Sequence, residues 1–357
     1  MLLIILGTLV AVFILAFASL RLLAPAITRK NHKIEAPGID CMEMVEIGGI
    51  MQTLYFRGEN VDNPVILYLH GGPGNPEMPL LHMFQYKWEK DYTVVHWDQR
   101  NSGKTFFAND SESVLQTMSA ERVVEDAHEV TAYIRQQLNK DKIIIMGHSW
   151  GTALGTMLVQ KYPEDYSAYI GVGQMIDTLN NERLGYNMVL EAARAAGNHK
   201  DIAVLESLAP YPPNGFNDHF VEQMMKLRKY QVKYKLAATG MELNTLIPAM
   251  ASPYYTFRDL TYYFAIDSLH YQGDLWRFLI DEYDARNYGV DYAIPVYYIM
   301  GEKDYQTPYP LVKEYFEKIS SPDKQFFSIP NAGHIPMNDN KTEFSRVLLE
   351  EIRPKLQ

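Results

Sequence analysis

The sequence of 357 residues contains a single cysteine, Cys41. One thiol cannot form an internal disulfide, and it provides neither a zinc-ligand pattern nor a redox motif. Cys41 is therefore expected to be an inert residue near the start of the folded domain. His96 has no metal-ligand spacing with His70 or His148. We therefore expect no metal and no cofactor.

Positive charge is also scarce, since 33 Lys and Arg face 43 Asp and Glu and the net charge is -10. Nucleic-acid phosphates are bound by basic patches, and none occurs outside the N-terminal region. Nucleic acid is therefore excluded as a partner. The chain is 47% hydrophobic and 21% charged and has no low-complexity tract. This composition predicts a substantial packed core, in one large domain or two of ordinary size.

Residues 2–20 are apolar except for Thr8 and Ser19, which is long enough to span a bilayer. A secretory signal is the alternative, but the stretch is long for one and no Lys or Arg precedes it. We predict a transmembrane anchor over residues 1–24, followed by a tether over residues 25–40. Basic residues follow the stretch, so the positive-inside rule puts the rest of the chain in the cytoplasm. An extracytoplasmic or secreted protein is the alternative. The basic residues are Arg21, Arg29, Lys30 and Lys33.

Short apolar runs alternate with helical patterns through most of the remaining chain. A hairpin is expected at 44–56, and 119–138 has apolar residues at helical spacing. This alternation is typical of an α/β fold with a mainly parallel sheet covered on both faces. We assign the core to residues 41–173 and 294–357. The predicted later strands are 65–69, 93–97, 143–146, 168–173, 295–300 and 325–329.

Residues 174–293 do not show this alternation of strand and helix patterns. The segment is rich in Tyr, Met and Phe and contains no strong strand pattern. A helical insertion between sheet strands predicts a cap over the sheet edge. Its expected helices are 180–196, 201–208, 216–235 and 268–283.

The sequence Gly147-His148-Ser149-Trp150-Gly151 lies between a buried strand and a helix that ends before Pro163. Gly-x-Ser-x-Gly in this context is the pattern of a nucleophile elbow. Such a turn strains the backbone at the serine and lifts its side chain out of the sheet. The helix behind it aims N–H groups at any negative charge that forms there. Ser149 is therefore the candidate nucleophile.

A serine needs a base, and the base needs an orienting acid, in the chain order Ser, acid, His. His334 lies in a loop just after a core strand, whereas the other downstream histidines fall in the helical insertion. Asp304 directly follows another strand, which makes it the preferred acid. Glu302 is the alternative acid, and Asp281 and Asp284 are weaker ones. The excluded histidines are His199, His219 and His270.

A tetrahedral oxyanion needs fixed N–H donors. The N–H of Trp150 is one, because it follows the nucleophile at the start of a helix. The second is expected from the glycine loop 70–74, which follows an early strand. We favour Gly72, with Gly71 as the alternative.

Five motifs in this order resemble the proline iminopeptidase (prolyl aminopeptidase) family of α/β-hydrolases. They are His-Gly-Gly-Pro-Gly at 70–74, Asp-Gln-Arg at 98–100, Gly-x-Ser-Trp-Gly at 147–151, Gly-x-x-Asp at 301–304 and Gly-His at 333–334. The resemblance covers nearly everything after residue 40. It implies an α/β-hydrolase fold with an inserted helical cap and a catalytic triad of Ser149, Asp304 and His334. It also implies that residues 98–100 brace the loops beside the oxyanion donors.

The resemblance further implies an aminopeptidase that releases N-terminal prolyl or small residues from short peptides. Three positions depart from the family pattern, namely Asn101, Thr105 and His148. The family holds the substrate ammonium with cap glutamates, and no local pattern matches any of them here. The candidates are Glu182, Glu191, Glu206, Glu222 and Glu242.

Two other functions remain open from the sequence. The apolar, Met-rich cap equally suits a carboxylesterase acting on small apolar esters. A membrane-tethered binding module without catalysis is the other alternative, although a complete triad argues against it. The expected partner is thus a small peptide or ester, with the membrane reached through the N-terminal anchor. The sequence does not define the oligomeric state.

Overall fold

The structure is a computed structural model that describes residues 17–213, 215–235 and 243–356. One eight-stranded sheet forms its centre, in the order β1-β2-β4-β3-β5-β6-β7-β8. β2 runs antiparallel to both β1 and β4, and the other neighbours are parallel. The predicted α/β-hydrolase fold is confirmed. The strands are β1 Ile39–Ile47, β2 Ile50–Gly58, β3 Val65–Leu69, β4 Thr93–Asp98, β5 Ile143–His148, β6 Tyr166–Val172, β7 Val296–Gly301 and β8 Lys324–Ile329.

Side chains of the central strands alternate between the two faces of the sheet, as the pleat requires. Leu67 and Ile145 belong to one buried apolar cluster, which we call the first cluster. Ile66 and Ile144 belong to the second cluster on the other face. Because both faces are buried, these strands read as continuous apolar runs in the sequence.

Helices connect the strands and cover both faces. Short 3₁₀ segments lie at Met78–Met83, Pro163–Asp165, Ala285–Tyr288 and Arg353–Lys355, and π-helical turns at Ser19–Leu23 and Val347–Ile352. The α-helices outside the β6–β7 connection are α1 Ala24–Asn31, α2 Gly103–Ala108, α3 Ser111–Leu115, α4 Ala120–Leu138, α5 Trp150–Lys161, α12 Tyr309–Lys318, α13 Pro336–Asp339 and α14 Lys341–Arg346. The described residues between β6 and β7 form six α-helices, namely α6 Thr178–Ala195, α7 His199–Glu206, α8 Asp218–Lys233, α9 Leu243–Met250, α10 Phe257–Ala265 and α11 Ser268–Asp281.

The six helices of the β6–β7 connection form the inserted helical layer that the sequence predicts as a cap. Four of them lie where helices are expected. α9 and α10 are not predicted, because both are short and Pro248 lies inside α9. An internal proline is normally read as a helix end. Thr256 and Asp259 form a capping box that starts α10.

Residues 1–16, which make up most of the predicted anchor, lie outside the described residues. Over the described ranges, no helix combines the length and the apolar character needed to cross a bilayer. Residues 25–40, expected as a tether, contain most of α1 and the first residues of β1. Residues 17–31 are thus helical, and the chain joins the sheet at β1.

Candidate active site

Ser149 lies at the sharp turn between β5 and α5. Its backbone has φ 53° and ψ -119°, a conformation that costs energy for any residue with a side chain. The backbone N–H of Ser149 donates to Val172 O over 3.0 Å, which ties the turn to β6. A Cβ at Gly151 would lie 2.0 Å from Leu69 O, so only glycine fits there. The local geometry is therefore that of the predicted nucleophile elbow.

Asp304 and His334 meet at the carboxyl edge of the sheet, where Asp304 follows β7 and His334 follows β8. Asp304 Oδ2 lies 2.9 Å from His334 Nδ1. A carboxylate can only accept a hydrogen bond, so Nδ1 of His334 carries the proton. The other ring nitrogen, Nε2, is then available to interact with another group. Gly173 allows this approach, because a Cβ there would lie 3.1 Å from His334 Cε1.

The Asp304 carboxylate is buried and fully hydrogen-bonded. Its Oδ1 accepts from the N–H groups of Gln306 and Thr307, at 3.0 and 2.9 Å, and its Oδ2 accepts from Thr307 Oγ1 at 2.7 Å. Burial raises the pKa of Asp304, but His334 and these donors outweigh burial and hold the pKa below its ordinary value. Asp304 therefore stays charged and keeps the imidazole oriented. The bond from Gln306 N–H to Asp304 Oδ1 is that of an Asx-turn, whereas no sequence pattern marks Thr307 as a partner of Asp304.

Ser149 and His334 line the same cavity. The hydrogen bonds of the described residues include none between Ser149 Oγ and the His334 imidazole. Such bonds commonly tighten only when a substrate is bound.

The glycine loop after β3 lies directly beside the elbow. A Cβ at Gly71 would be 3.3 Å from Ser149 Cβ, and Gly71 O accepts from Asn75 N–H over 3.1 Å. Gly72 has φ 116°, and its Cβ would lie 2.6 Å from Gly74 N. Both Gly71 and Gly72 line the cavity that contains Ser149. The N–H of Trp150, at the first position of α5, has no acceptor within its own helix.

The Asp-Gln-Arg segment lies behind these loops. Gln99 Oε1 accepts from the Trp150 indole over 3.1 Å, and the Gln99 N–H donates to His70 Nε2 over 3.3 Å. Arg100 makes two hydrogen bonds to the buried carboxylate of Asp126, at 2.8 and 3.0 Å. The segment therefore joins the elbow helix, the glycine loop and α4.

A second buried pair, Glu77 and His148, connects the glycine loop to the elbow. His148 Nε2 donates to His334 O over 2.8 Å, and His148 Nδ1 is in short contact with Glu77 Oε1. Burial lowers the pKa of His148, but the charge of Glu77 outweighs it and the net shift is upward. Burial likewise raises the pKa of Glu77, and His148 reverses the sign. The pair is therefore charged. No sequence pattern indicates it, because residues 77 and 148 are far apart in the chain.

The alternative residues lie elsewhere. Glu302 is exposed, Asp281 is exposed at the end of α11, and Asp284 pairs with Arg286. The histidines of the insertion are all exposed, namely His199, His219 and His270. Of the candidates, the structure brings only Asp304 and His334 together.

The cavity in front of Ser149 has a volume of about 560 Å³. Most of its wall comes from the helices between β6 and β7 and from the 3₁₀ segment Met78–Met83. The wall is largely apolar and includes Leu80, Met224, Met250, Leu260, Tyr263 and Trp276.

Glu182 is the one cap glutamate among the described residues that lines this cavity. It is buried, and it accepts short hydrogen bonds from Arg228 and from the Tyr211 hydroxyl. Burial lowers the pKa of Arg228, but Glu182 outweighs burial and the net shift is upward. The remaining candidates Glu191, Glu206 and Glu222 are exposed, and Glu242 lies outside the described residues.

The described geometry agrees with comparisons to known proteins. A sequence model of the α/β-hydrolase fold family matches residues 64–341. The chain therefore belongs to the α/β-hydrolase fold family, and it is an enzyme of the hydrolase class.

Individual relatives show which members of this family the chain resembles. The probable aminopeptidase YbaC of Bacillus subtilis strain 168 is 26% identical over 334 residues, which cover 90% of this chain and 99% of that protein. A proline iminopeptidase of Heyndrickxia coagulans is 34% identical over 123 residues, covering 34% of this chain and 39% of that protein. The crystal structure of a proline iminopeptidase-related protein from Thermus thermophilus superposes with a TM-score of 0.60 at 19% identity, covering 89% and 99% of the two chains. The resemblance to the proline iminopeptidase group is confirmed.

Proposed function

We propose that the protein is a serine hydrolase in which Ser149 is the nucleophile, His334 the general base and Asp304 the orienting acid. The observation that carries this proposal is the 2.9 Å contact between Asp304 Oδ2 and His334 Nδ1 beside the strained elbow at Ser149. His334 removes the Ser149 proton as the hydroxyl attacks the substrate carbonyl. It then donates that proton to the leaving group. Water activated by the same imidazole releases the acyl group and restores Ser149.

The oxyanion of each tetrahedral intermediate is bound by the backbone N–H groups of Trp150 and Gly72, with Gly71 as the alternative to Gly72. The position of Gly71 and Gly72 on the cavity wall supports this assignment. The buried Glu77–His148 pair holds the glycine loop against the elbow, so the two donors keep a fixed separation. Fixed donors stabilise the transition state without reorganisation.

We propose that the substrates are short peptides and that the enzyme releases their N-terminal prolyl or small residues. The proposal follows from the names of the relatives, above all the Bacillus subtilis protein, which aligns along nearly its full length. In this assignment Glu182 is the cap carboxylate that meets the substrate ammonium. The ammonium then competes with Arg228 for that carboxylate.

A carboxylesterase acting on small apolar esters is the second candidate. One observation favours it: both glutamates lining the described part of the cavity, Glu77 and Glu182, are already paired. An ester has no ammonium and needs no free carboxylate, and the apolar wall suits an acyl chain.

One pair of assays separates these possibilities. The purified protein is tested for hydrolysis of prolyl-β-naphthylamide and of a panel of p-nitrophenyl esters, beside Ser149→Ala. An aminopeptidase hydrolyses the amide, whereas turnover of esters alone contradicts the peptidase assignment. Labelling by a fluorophosphonate probe that depends on Ser149 supports the triad. Absence of labelling together with absence of turnover identifies a non-catalytic module.

We also propose that residues 1–24 anchor the enzyme in a membrane and that the catalytic domain is cytoplasmic. The support is the apolar stretch 2–20 and the basic residues that follow it. Protease treatment of intact and permeabilised cells tests the orientation. Degradation in intact cells contradicts a cytoplasmic domain.

A further inference from the structure

The N-terminal helical region has its apolar side chains outward. Leu22, Leu23 and Ile27 are 69%, 60% and 57% exposed, respectively. The surface helix of a globular protein normally turns its apolar stripe toward the core and its polar residues toward water. Here Leu22, Leu23 and Ile27 point away from the protein.

The inner face of the same region is partly polar. Four of its residues recur at a spacing of four and therefore share one face of the helix. The guanidinium of Arg21 donates to Tyr255 O over 3.0 Å and to the carbonyl of Met250. The four residues are Phe17, Arg21, Pro25 and Arg29.

Two further contacts extend this face. Pro25 is buried, and Arg29 donates to the carbonyl of Pro253. The ring of Phe17 lies edge-on to Phe257, with 5.9 Å between centroids. Arg21 and Arg29 therefore bind the loop between α9 and α10. The aliphatic residues occupy the outer face of the helix.

Two exposed phenylalanines of α10 link the N-terminal region to the cavity, since Phe257 contacts Phe17 and Phe264 lines the cavity. Phe257 and Phe264 are two turns apart on α10, and they are 56% and 57% exposed. Phe264 also lines the cavity, together with the exposed Met225 of α8. We call Leu22, Leu23, Ile27, Phe257 and Phe264 the outward apolar surface.

The hydrocarbon of a lipid bilayer is the occupant that fits this surface. The 19-residue apolar stretch 2–20 leads directly into it in the sequence. Lys30 is exposed near the end of α1, where its charge suits an anionic lipid headgroup. A helix with an apolar face of this kind lies in the plane of the interface.

We propose that the outward apolar surface lies in the bilayer interface and brings the mouth of the cavity to the membrane. Substrates then enter from the lipid phase, which selects amides or esters that carry an apolar group. The route of the substrate rests on the proposed function, because it takes the cavity as the active site. Contact with the membrane does not rest on it and is measured without any activity.

The test uses the full chain with Cys41→Ser, in vesicles of phosphatidylcholine and phosphatidylglycerol. Single cysteines replace Ile27, Phe264 or the control residue Lys313, and each carries an environment-sensitive fluorophore. Lys313 is exposed on α12, and this helix packs against the first cluster. The loop bound by Arg21 packs against the second cluster on the opposite face of the sheet.

We expect blue-shifted emission at positions 27 and 264, quenched by doxyl lipid and protected from aqueous iodide. The label at position 313 is expected to be quenched by iodide alone. If the label at 264 responds like that at 313, the anchor holds the domain away from the bilayer and the proposal fails. If the blue shift at 264 decreases as protein is diluted at constant lipid, a second copy covers the surface and the proposal also fails. Unchanged thermal unfolding midpoints show that the three variants are folded.

Discussion

The carboxyl edge of the sheet and the helices between β6 and β7 form opposite walls of one cavity. The residues of the two walls are brought together in different ways. At the sheet edge, Ser149, Asp304 and His334 each follow a strand, so the strand order brings them together. In the cap, Glu182 and Arg228 meet because two helices pack, with no motif in the sequence. This difference agrees with the proposed function, in which the sheet edge would carry the chemistry and the cap would select the substrate.

Individual glycines on the two sides differ in the space around them. Gly151 and Gly173 at the sheet edge have backbone or catalytic groups within 2.0 and 3.1 Å of where a Cβ would lie. Gly273 in α11 has nothing within 4 Å. A Cβ at Gly151 or Gly173 must therefore shift its neighbours at the sheet edge, whereas a Cβ at Gly273 would displace nothing.

The largest effect is expected for Ser149→Ala. Removing the nucleophile is expected to lower kcat by about 10⁴–10⁶-fold, because the residual rate comes only from binding and oxyanion stabilisation. Turnover of the better substrate and fluorophosphonate labelling measure this loss. Glu191→Gln, on the exposed side of α6, is the cap control and should leave both unchanged. Equal loss in the two variants would contradict the division between the walls.

The second-largest effect is expected for Gly72→Ala, with Gly273→Ala as the comparison. Gly72→Ala introduces a Cβ 2.6 Å from Gly74 N at φ 116°, so the loop must move. Displacing one oxyanion donor is expected to cost about 10²–10³-fold in kcat with little change in KM. Gly273→Ala adds a methyl group in open space within a helix, and it is expected to stabilise the fold by up to about 1 kcal/mol. Full activity in Gly72→Ala would show that the backbone N–H of Gly72 does not bind the oxyanion.

The sequence allowed most of the sheet edge to be predicted, because each motif there follows a buried strand. The fold class is confirmed, and Asp304 lies beside His334, although the catalytic roles stay predictions. The Glu77–His148 pair was missed because tertiary packing brings these two residues together. Thr307 is a local partner of Asp304, but no motif marks it in the sequence. α9 and α10 were missed because both are short, and because Pro248 lies inside α9. In the cap, helix packing, rather than any local pattern, determines which acid faces the cavity.

Glu77→Gln tests how the two loops of the sheet edge are joined. The lowered pKa of Glu77 stabilises the fold fully above its ordinary pKa of 4.5, and this contribution is lost as pH falls through the lowered value. The raised pKa of His148 stabilises the fold fully below its ordinary pKa of 6.5, and this contribution is lost as pH rises through the raised value. Between pH 4.5 and 6.5 both contributions are present.

We therefore expect Glu77→Gln to lower the free energy of unfolding most between those pH values, by about 3 kcal/mol. Urea denaturation at a series of pH values measures the difference. Glu125→Gln breaks the exposed pair with Lys161 and should cost less than about 1 kcal/mol without a maximum in this window. A difference independent of pH would mean that Glu77 and His148 are not a charged pair.

The smallest expected effect concerns the cap, where Arg228→Gln leaves Glu182 without its cation. If Glu182 meets the substrate ammonium, removing the competing guanidinium lowers KM for prolyl-β-naphthylamide about tenfold, which corresponds to about 1.4 kcal/mol. KM for a neutral p-nitrophenyl ester and the rate of fluorophosphonate labelling should stay the same, because neither uses that carboxylate.

The double variant Glu182→Gln with Arg228→Gln is the matched control, since it removes both charges and leaves no unpaired carboxylate in the cavity. We expect it to abolish the gain for the amide and to keep ester turnover. An amide KM that is the same in the single and the double variant would exclude Glu182 from amine recognition. The cap would then select by apolar contact alone, which is the behaviour expected of the esterase.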